Sequence, residues 1–216
     1  MKKLLVVLVL AVLTAGGAFG QAKLSIGGGG YFTAAFGGGF KASAGEESAG
    51  MEFPYSGGGA FIFVDANYIE ASIGFLYGAF SITGTGLSKS SSLDIDINSI
   101  ALGVLGKYPI NLGSIILFPA AGIEYNMVTS GKTGNVTISD AADLSHLWIK
   151  FGVGADFNLS SHLYIRATAL YGIRFSSKIE DDYVDAMKES LDGSGVSIDP
   201  VLGHGIQIKV SVGTRF

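Results

Sequence analysis

The 216 residues predict an all-β fold, an eight-stranded antiparallel up-and-down transmembrane β-barrel, and three observations carry that prediction. The last twelve residues, from Gly205 to Phe216, are two-faced. Ile206, Ile208, Val210, Val212 and Phe216 fall on one side, and Gln207, Lys209, Ser211, Gly213 and Arg215 on the other. Successive side chains of a strand point to opposite faces, so this segment suits a lipid-facing exterior and a polar interior. The connections between apolar segments alternate long and short along the whole chain, the rhythm of a barrel with both termini on one side. The same polar-apolar alternation recurs in earlier segments.

In order along the chain, Lys2 and Lys3 form a basic start, Leu4 to Leu13 is continuously apolar, and Ala18-Phe19-Gly20 is a small-x-small cleavage pattern. Residues 1–20 therefore read as a secretory signal peptide that is cleaved, leaving 21–216 as one barrel domain. Strands are expected at Lys23–Phe36, Gly58–Asp65, Tyr68–Phe80, Asp94–Tyr108, Ser114–Met127, Leu147–Phe157, Leu163–Phe175 and Gly205–Phe216. Most reach the roughly 9–11 residues that a tilted strand needs to cross a bilayer. The second is short and is expected to borrow residues from the preceding loop. The tight connections are Ala66-Asn67, Pro109–Gly113 and Asn158–His162; the long ones are Gly37–Gly57, Ser81–Leu93, Val128–His146 and Ser176–His204.

In the seventh segment Leu163, Ile165, Ala167, Ala169, Tyr171, Ile173 and Phe175 oppose Tyr164, Arg166, Thr168, Leu170, Gly172 and Arg174. In the sixth, Leu147, Ile149, Phe151, Val153, Ala155 and Phe157 oppose Trp148, Lys150, Gly152, Gly154 and Asp156. The fourth changes parity between Ile97 and Ile100, which reads either as a bulge or as the strand leaving the membrane.

Composition narrows the class. Past residue 20 no apolar stretch approaches 18 residues, so no helical span is expected. Loss of Lys2 and Lys3 would leave 12 basic and 18 acidic residues, a net charge of −6, and with no basic run the chain is not expected to bind nucleic acid. The chain has no Cys, so neither a lipid-anchored cysteine nor a disulfide is available. Thirty-three glycines and 15% charged residues are unusual for a water-facing surface.

The segments Pro119–Tyr125, Phe151–Leu159 and Leu163–Tyr171 resemble small outer-membrane β-barrel proteins of the OmpX/OmpA type and, more loosely, the OmpW family. The likeness covers the C-terminal half and the signal peptide. It implies residence in the outer membrane of a diderm bacterium. It also implies contact with outer-membrane lipid and recognition by the barrel-assembly machinery through the C-terminal strand, with Phe216 as the barrel-closing signal.

On the assigned parities the lumen receives Asp65, Glu70, Lys107, Glu124, Lys150, Asp156, Arg166, Arg174, Lys209 and Arg215, a candidate charge network in a space that eight strands barely leave open. Unpaired charges there would be costly, so they are expected either to pair and plug the barrel or to line a narrow hydrophilic path. Inward glycines (Gly27, Gly74, Gly152, Gly154, Gly172 and Gly213 among them) are expected to make room for long neighbours. Pro119 marks a candidate lateral irregularity, read as a bulge near one rim or as a side opening for an apolar solute.

His146, His162 and His204 fall at strand ends, with His146 and His204 at the outer rim. Ser145-His146 with Asp143, or His204 with Asp199, could be drawn as a catalytic set, but neither matches an outer-membrane hydrolase motif. No His/Asp/Glu group has metal-ligand spacing, and no cofactor is expected. In the longest connection Ile179, Tyr183, Met187 and Leu191 recur every four residues, with Ser177 as a cap and Asp192-Gly193 as a stop, the pattern of a short helix over the barrel mouth. The connection Gly37–Gly57, with Glu46, Glu47, Met51, Phe53 and Tyr55, reads either as a segment folded over the barrel mouth or as a partner-binding element, and Ser88–Ser92 as flexible and solvated.

The function expected from these residues is a non-enzymatic surface protein whose barrel anchors four extracellular loops, through which it could meet a partner. The alternative is a narrow, porin-like or OmpW-like channel for small hydrophilic or apolar solutes. A soluble lipocalin-like barrel would require the opposite faces, apolar inside and polar outside.

Overall fold

The computed structural model describes residues 24–44, 47–85, 92–175, 177–192 and 196–216. The expected signal peptide at 1–20 and most of the serine-rich stretch, 88–91, lie outside the described residues. Among the described residues eleven strands form one antiparallel sheet: β1 (Leu24–Ala44), β2 (Glu47–Glu52), β3 (Tyr55–Ala66), β4 (Ile69–Thr85), β5 (Ser92–Lys107), β6 (Ile110–Asn111), β7 (Ile115–Thr133), β8 (Val136–Thr137), β9 (His146–Asn158), β10 (Leu163–Arg174) and β11 (Ser197–Arg215). Eight of them close a ring in the order β1-β3-β4-β5-β7-β9-β10-β11, and β11 pairs back onto β1 from Ser25↔Arg215 to Ser43↔Ser197. Closure pairs the edge strands, which is what lets a sheet sit in hydrocarbon. The short strands β2, β6 and β8 extend hairpins at the two ends.

The exterior of the ring is apolar. Ile62, Phe75, Ile123, Val153, Ile208 and Val210 all face outward, with Ile62 61% and Val153 62% exposed. Tyr68, Tyr108, Phe157 and Phe216 lie near the tight-turn end, and Phe36, Tyr77, Tyr125 and Tyr171 toward the other, as two interfacial girdles require. This arrangement is the reverse of a lipocalin. The alternations in β9, β10 and the last part of β11 are those the sequence predicts.

The tight turns follow local chemistry. Asn67 takes φ 66°, a conformation Asn tolerates, between β3 and β4. Asn111 Oδ1 accepts from the Gly113 N–H at 2.9 Å, and Ser160 Oγ accepts from the Leu163 N–H at 3.0 Å.

The strands run longer than predicted at the long-connection end. Much of the connection expected at Gly37–Gly57 is strand: β1 continues to Ala44, β2 folds back, and Phe53 and Tyr55 are buried inside. The reason is an inversion of faces. Near the tight turns the strands are polar inside and apolar outside. Beyond that belt Phe40, Phe53, Ile95, Ile97 and Val128 point inward into an apolar cluster, while Lys41, Glu52, Asp94, Asp96 and Lys132 point outward. Water replaces lipid there, so the hydrophobic effect drives the apolar side in.

The parity change in β5 is that inversion. Inward positions run unbroken through Ile95, Ile97, Ser99, Ala101 and Leu105. A bulge does occur, but in the neighbour: Asn98 pairs with Ser130 and Ser99 with Val128, leaving Thr129 as the extra residue of β7.

At Pro119 there is neither bulge nor side opening. β7 pairs with β9 without interruption from Ile115 to Asn126, with Pro119 opposite Val153. The Pro119 carbonyl accepts from Tyr108 N–H at 3.1 Å, so the missing N–H also faces the β5 side, where that ladder ends at Lys107↔Ala120. The chain tolerates proline there because little pairing is lost.

Candidate functional site in the barrel lumen

The inward face of the belt is built from one side of each strand, and its charges meet in two groups. At the first, Arg166 of β10 is the hub. Its Nε and Nη2 donate to the two oxygens of Asp156 at 2.6 and 2.8 Å, Nη1 to Glu70 at 2.6 Å, and Nη2 to Asp65 at 2.7 Å. Asp65 also pairs with Lys107, Glu70 with Lys209 at 3.1 Å, and Asp156 with Arg215 at 2.8 Å. The guanidinium, 3% exposed, lies 5.1–5.2 Å from the rings of Phe63, Phe118 and Tyr164. A planar fork with five donors suits three carboxylates and three aromatic faces at once, which a lysine could not match.

Further along the axis Lys150 donates to Glu124 at 2.5 Å, and Gln207 Nε2 reaches both oxygens of Glu124 at 3.3 Å. Near the far end Arg174 pairs with Glu180, a residue of helix α1 (Lys178–Ser190), and donates to the Phe53 carbonyl at 3.2 Å. All ten predicted inward charges therefore face the lumen and have an opposite charge as partner.

The space left between these groups is filled by aromatic rings seated on inward glycines. A Cβ at Gly213 would collide with the Tyr164 ring, one at Gly154 with Phe118, one at Gly27 with Phe63 at 2.5 Å, and one at Gly172 with Trp148 at 2.7 Å. Tyr31, Tyr55, Phe61, Trp148 and Leu76 complete the filling, and Trp148 is 1% exposed. Between the charge groups, a cavity of about 10 Å³ is lined by Tyr31, Ser72, Glu124, Gln207 and Lys209. That is room for about one water. A vestibule of about 680 Å³ opens at the tight-turn end and is floored by Asp65, Lys107, Asp156, Arg166 and Arg215.

At the opposite end α1 covers the mouth. Its N-cap is Ser177, whose hydroxyl accepts from the Glu180 N–H at 3.4 Å. The covered stripe is Glu180, Val184 and Met187, with Leu191 half-buried, whereas Tyr183 of the predicted stripe is exposed. Burial pushes the Glu180 carboxyl up, with Arg174 pulling the other way, and Asp143 holds the exposed Lys178 ammonium up across a 3.0 Å pair.

His146 is not a rim residue. It is buried, Nδ1 is 3.0 Å from the Leu144 carbonyl, Nε2 is 3.3 Å from Asn126 Nδ2, and its ring meets Tyr55 and Trp148 edge-on. Ser145 Oγ accepts from the Val128 N–H, and Asp143 is engaged by Lys178, so the drawn set does not converge. His204 faces outward, stacked on Tyr171, and Asp199 accepts from Ser197. His162 lies in a tight turn beside the Arg215 carbonyl. Among the described residues no acidic, His or Cys group is arranged to hold a metal.

Sequence reasoning missed Glu180 as a lumen partner, and Phe53, Phe61 and Phe63 as filling. Phe61 and Phe63 share parity with Asp65, but Ile62 and Val64 on the other face are also apolar, so β3 shows no alternation to read. Phe216 sits beside the tight-turn end, exposed, with its N–H on the Leu24 carbonyl at 2.9 Å.

No protein-family model matches the chain, and no curated protein matches it. Among solved structures it is similar to the outer membrane protein OprG from Pseudomonas aeruginosa, at 12% identity over 90% of this chain and 96% of that one, with TM-score 0.45. Neisserial surface protein A gives 13%, 89%, 97% and 0.41, and the N-terminal β-barrel domain of Pseudomonas aeruginosa OprF gives 10%, 88%, 99% and 0.35. These neighbours are small outer-membrane β-barrels, and the likeness is one of fold.

Proposed function

We propose that the chain is a non-enzymatic outer-membrane protein of a diderm bacterium, a rigid membrane anchor that presents its long-connection end to the exterior. The observation that carries this reading is the filled lumen: paired charges and aromatic rings occupy the axis, and the cavity between the two charge groups holds about 10 Å³. A conducting path needs a continuous wet column, and this interior is packed with buried ion pairs instead. In this reading the barrel contacts outer-membrane lipid through its apolar belt. Its strand β11 engages the assembly machinery, and the elaborated hairpins with α1 offer the surface for an extracellular partner.

The test is planar-bilayer conductance of the refolded protein beside Lys150→Ala and Arg166→Ala variants. Flat traces from the unmodified chain are expected. Steady ion passage through it, altered in either variant, would replace the anchor reading with the channel one.

A further inference from the structure

The cover of the outer mouth is held differently from the rest of the barrel. Every strand of the ring is fixed by two ladders, whereas α1 has none. Val184 and Met187 join the apolar cluster that holds Phe53, Phe80 and Leu144, and most other described side chains of the helix are exposed. Its buried polar tie is Glu180 on Arg174.

Arg174 is built into position. It comes from the end of β10, lies 5.8 Å over the Phe80 ring, and grips the Phe53 carbonyl and the Glu180 carboxylate together. To do so the guanidinium passes between Gly38 and Gly203. A Cβ at Gly203 would stand 2.8 Å from Nε, and one at Gly38 would strike Nη2, at a residue whose φ of +76° already favours glycine. Two strands are thus cut back to let one side chain through.

We propose that α1 is a lid over the outer mouth and that Arg174 is its latch, tying the helix and the β2–β3 connection to the barrel wall through Glu180 and the Phe53 carbonyl. A buried ion pair adds little net stability against its desolvation, yet breaking it from one side is costly. A helix with few apolar contacts belongs to the low-stability end of a fold. The combination gives a cover that opens locally and recloses in one register. Opening uncovers an aromatic cup of Phe53 and Phe80, whose rings stack at 5.9 Å, with Arg174 at its wall. The Arg166 hub below is untouched, so a moving lid and a non-conducting barrel are compatible and fail separately.

Hydrogen exchange of the refolded protein in lipid vesicles tests this. In the unmodified chain, amides of residues 178–190 should exchange through local opening, faster than those of β9 and β10. Arg174→Met and Glu180→Leu should each speed that helix by at least about tenfold, because each leaves the other, buried side chain without its hydrogen-bonding partner across the tie. The double variant should restore slow exchange, and Glu180→Gln, which still accepts from Arg174, should stay slow. Unchanged helix exchange in both single variants would overturn the latch, as would a double variant as fast as the singles. Loss of protection in β9 and β10 together with the helix would overturn the lid.

Discussion

Replacing Glu124 by Leu isolates the cost of one lumen charge. Lys150 is buried, and its one acidic partner among the described residues is Glu124 at 2.5 Å. After Glu124→Leu the ammonium keeps only the Trp148 face, 5.3 Å from the ring centroid. A cation–π contact is worth about 0.5–2 kcal/mol, whereas a one-sided break of a buried pair costs about 3–5 kcal/mol, so the break wins. The reverse change is milder. Lys150→Met leaves the Glu124 carboxylate with two Gln207 contacts at 3.3 Å, and a loss of about 1–3 kcal/mol is expected. The double variant should return to within about 1 kcal/mol of the starting protein or exceed it, because an apolar pair of similar volume avoids the desolvation cost. Urea titration in vesicles, read by the gel mobility of the folded band, supplies all four corners of the cycle. A Glu124→Leu loss below about 1 kcal/mol, or a double variant as unstable as the sum of the singles, would refute the reasoning.

Two further outcomes follow from the belt and the lid. Val153→Arg, outward and midway along β9, should cost about 2–4 kcal/mol of folding stability in vesicles; no measurable loss would move Val153 away from the bilayer core. For the lid, burial raises the Glu180 carboxyl, so the closed form holds a proton more tightly than the open one. Closure is therefore strengthened as pH falls through that raised value toward 4.5, and weakened as pH rises above it. Arg174 from β10 is the charge facing Glu180, with His146 beyond it; Lys178 is engaged by Asp143 of the neighbouring turn, and Asp182 faces solvent. Exchange of residues 178–190, corrected for intrinsic rates, should slow on acidification in the unmodified chain and show no such dependence in Glu180→Gln.

Where one solvent touches each face of a strand, the fold was legible. β9 and β10 lie within the belt, lipid on one side and lumen on the other, and their alternation assigns every residue from Leu147 to Phe157 and from Leu163 to Arg174 correctly. The lumen charges could be located for the same reason, since Arg166, Asp156, Lys150 and Lys209 are polar exceptions in apolar segments. Their partners could not. Arg166 meets Glu70, 96 residues away, and Asp65, 101 away, through a ring closure that no local period encodes.

The predicted strand ends failed at one boundary, where lipid gives way to water. Ile95 and Ile97 point in while Ile100 and Leu102 point out, so one strand carries two opposite rules. Read with the membrane rule alone, the upper hairpins resemble loops, and Phe53 and Tyr55 fall outside every strand. Once the rule is reversed above the belt, they become a small soluble-type core standing on a membrane barrel. This split also separates the roles of the arginines. Arg166 lies in the belt among three carboxylates and holds the wall to itself, whereas Arg174 lies at the inversion, where its one carboxylate belongs to a helix outside the ring. An arginine placed at that boundary can tie the upper core to the barrel without being part of either ladder, and the glycines at 38 and 203 leave it room to do so.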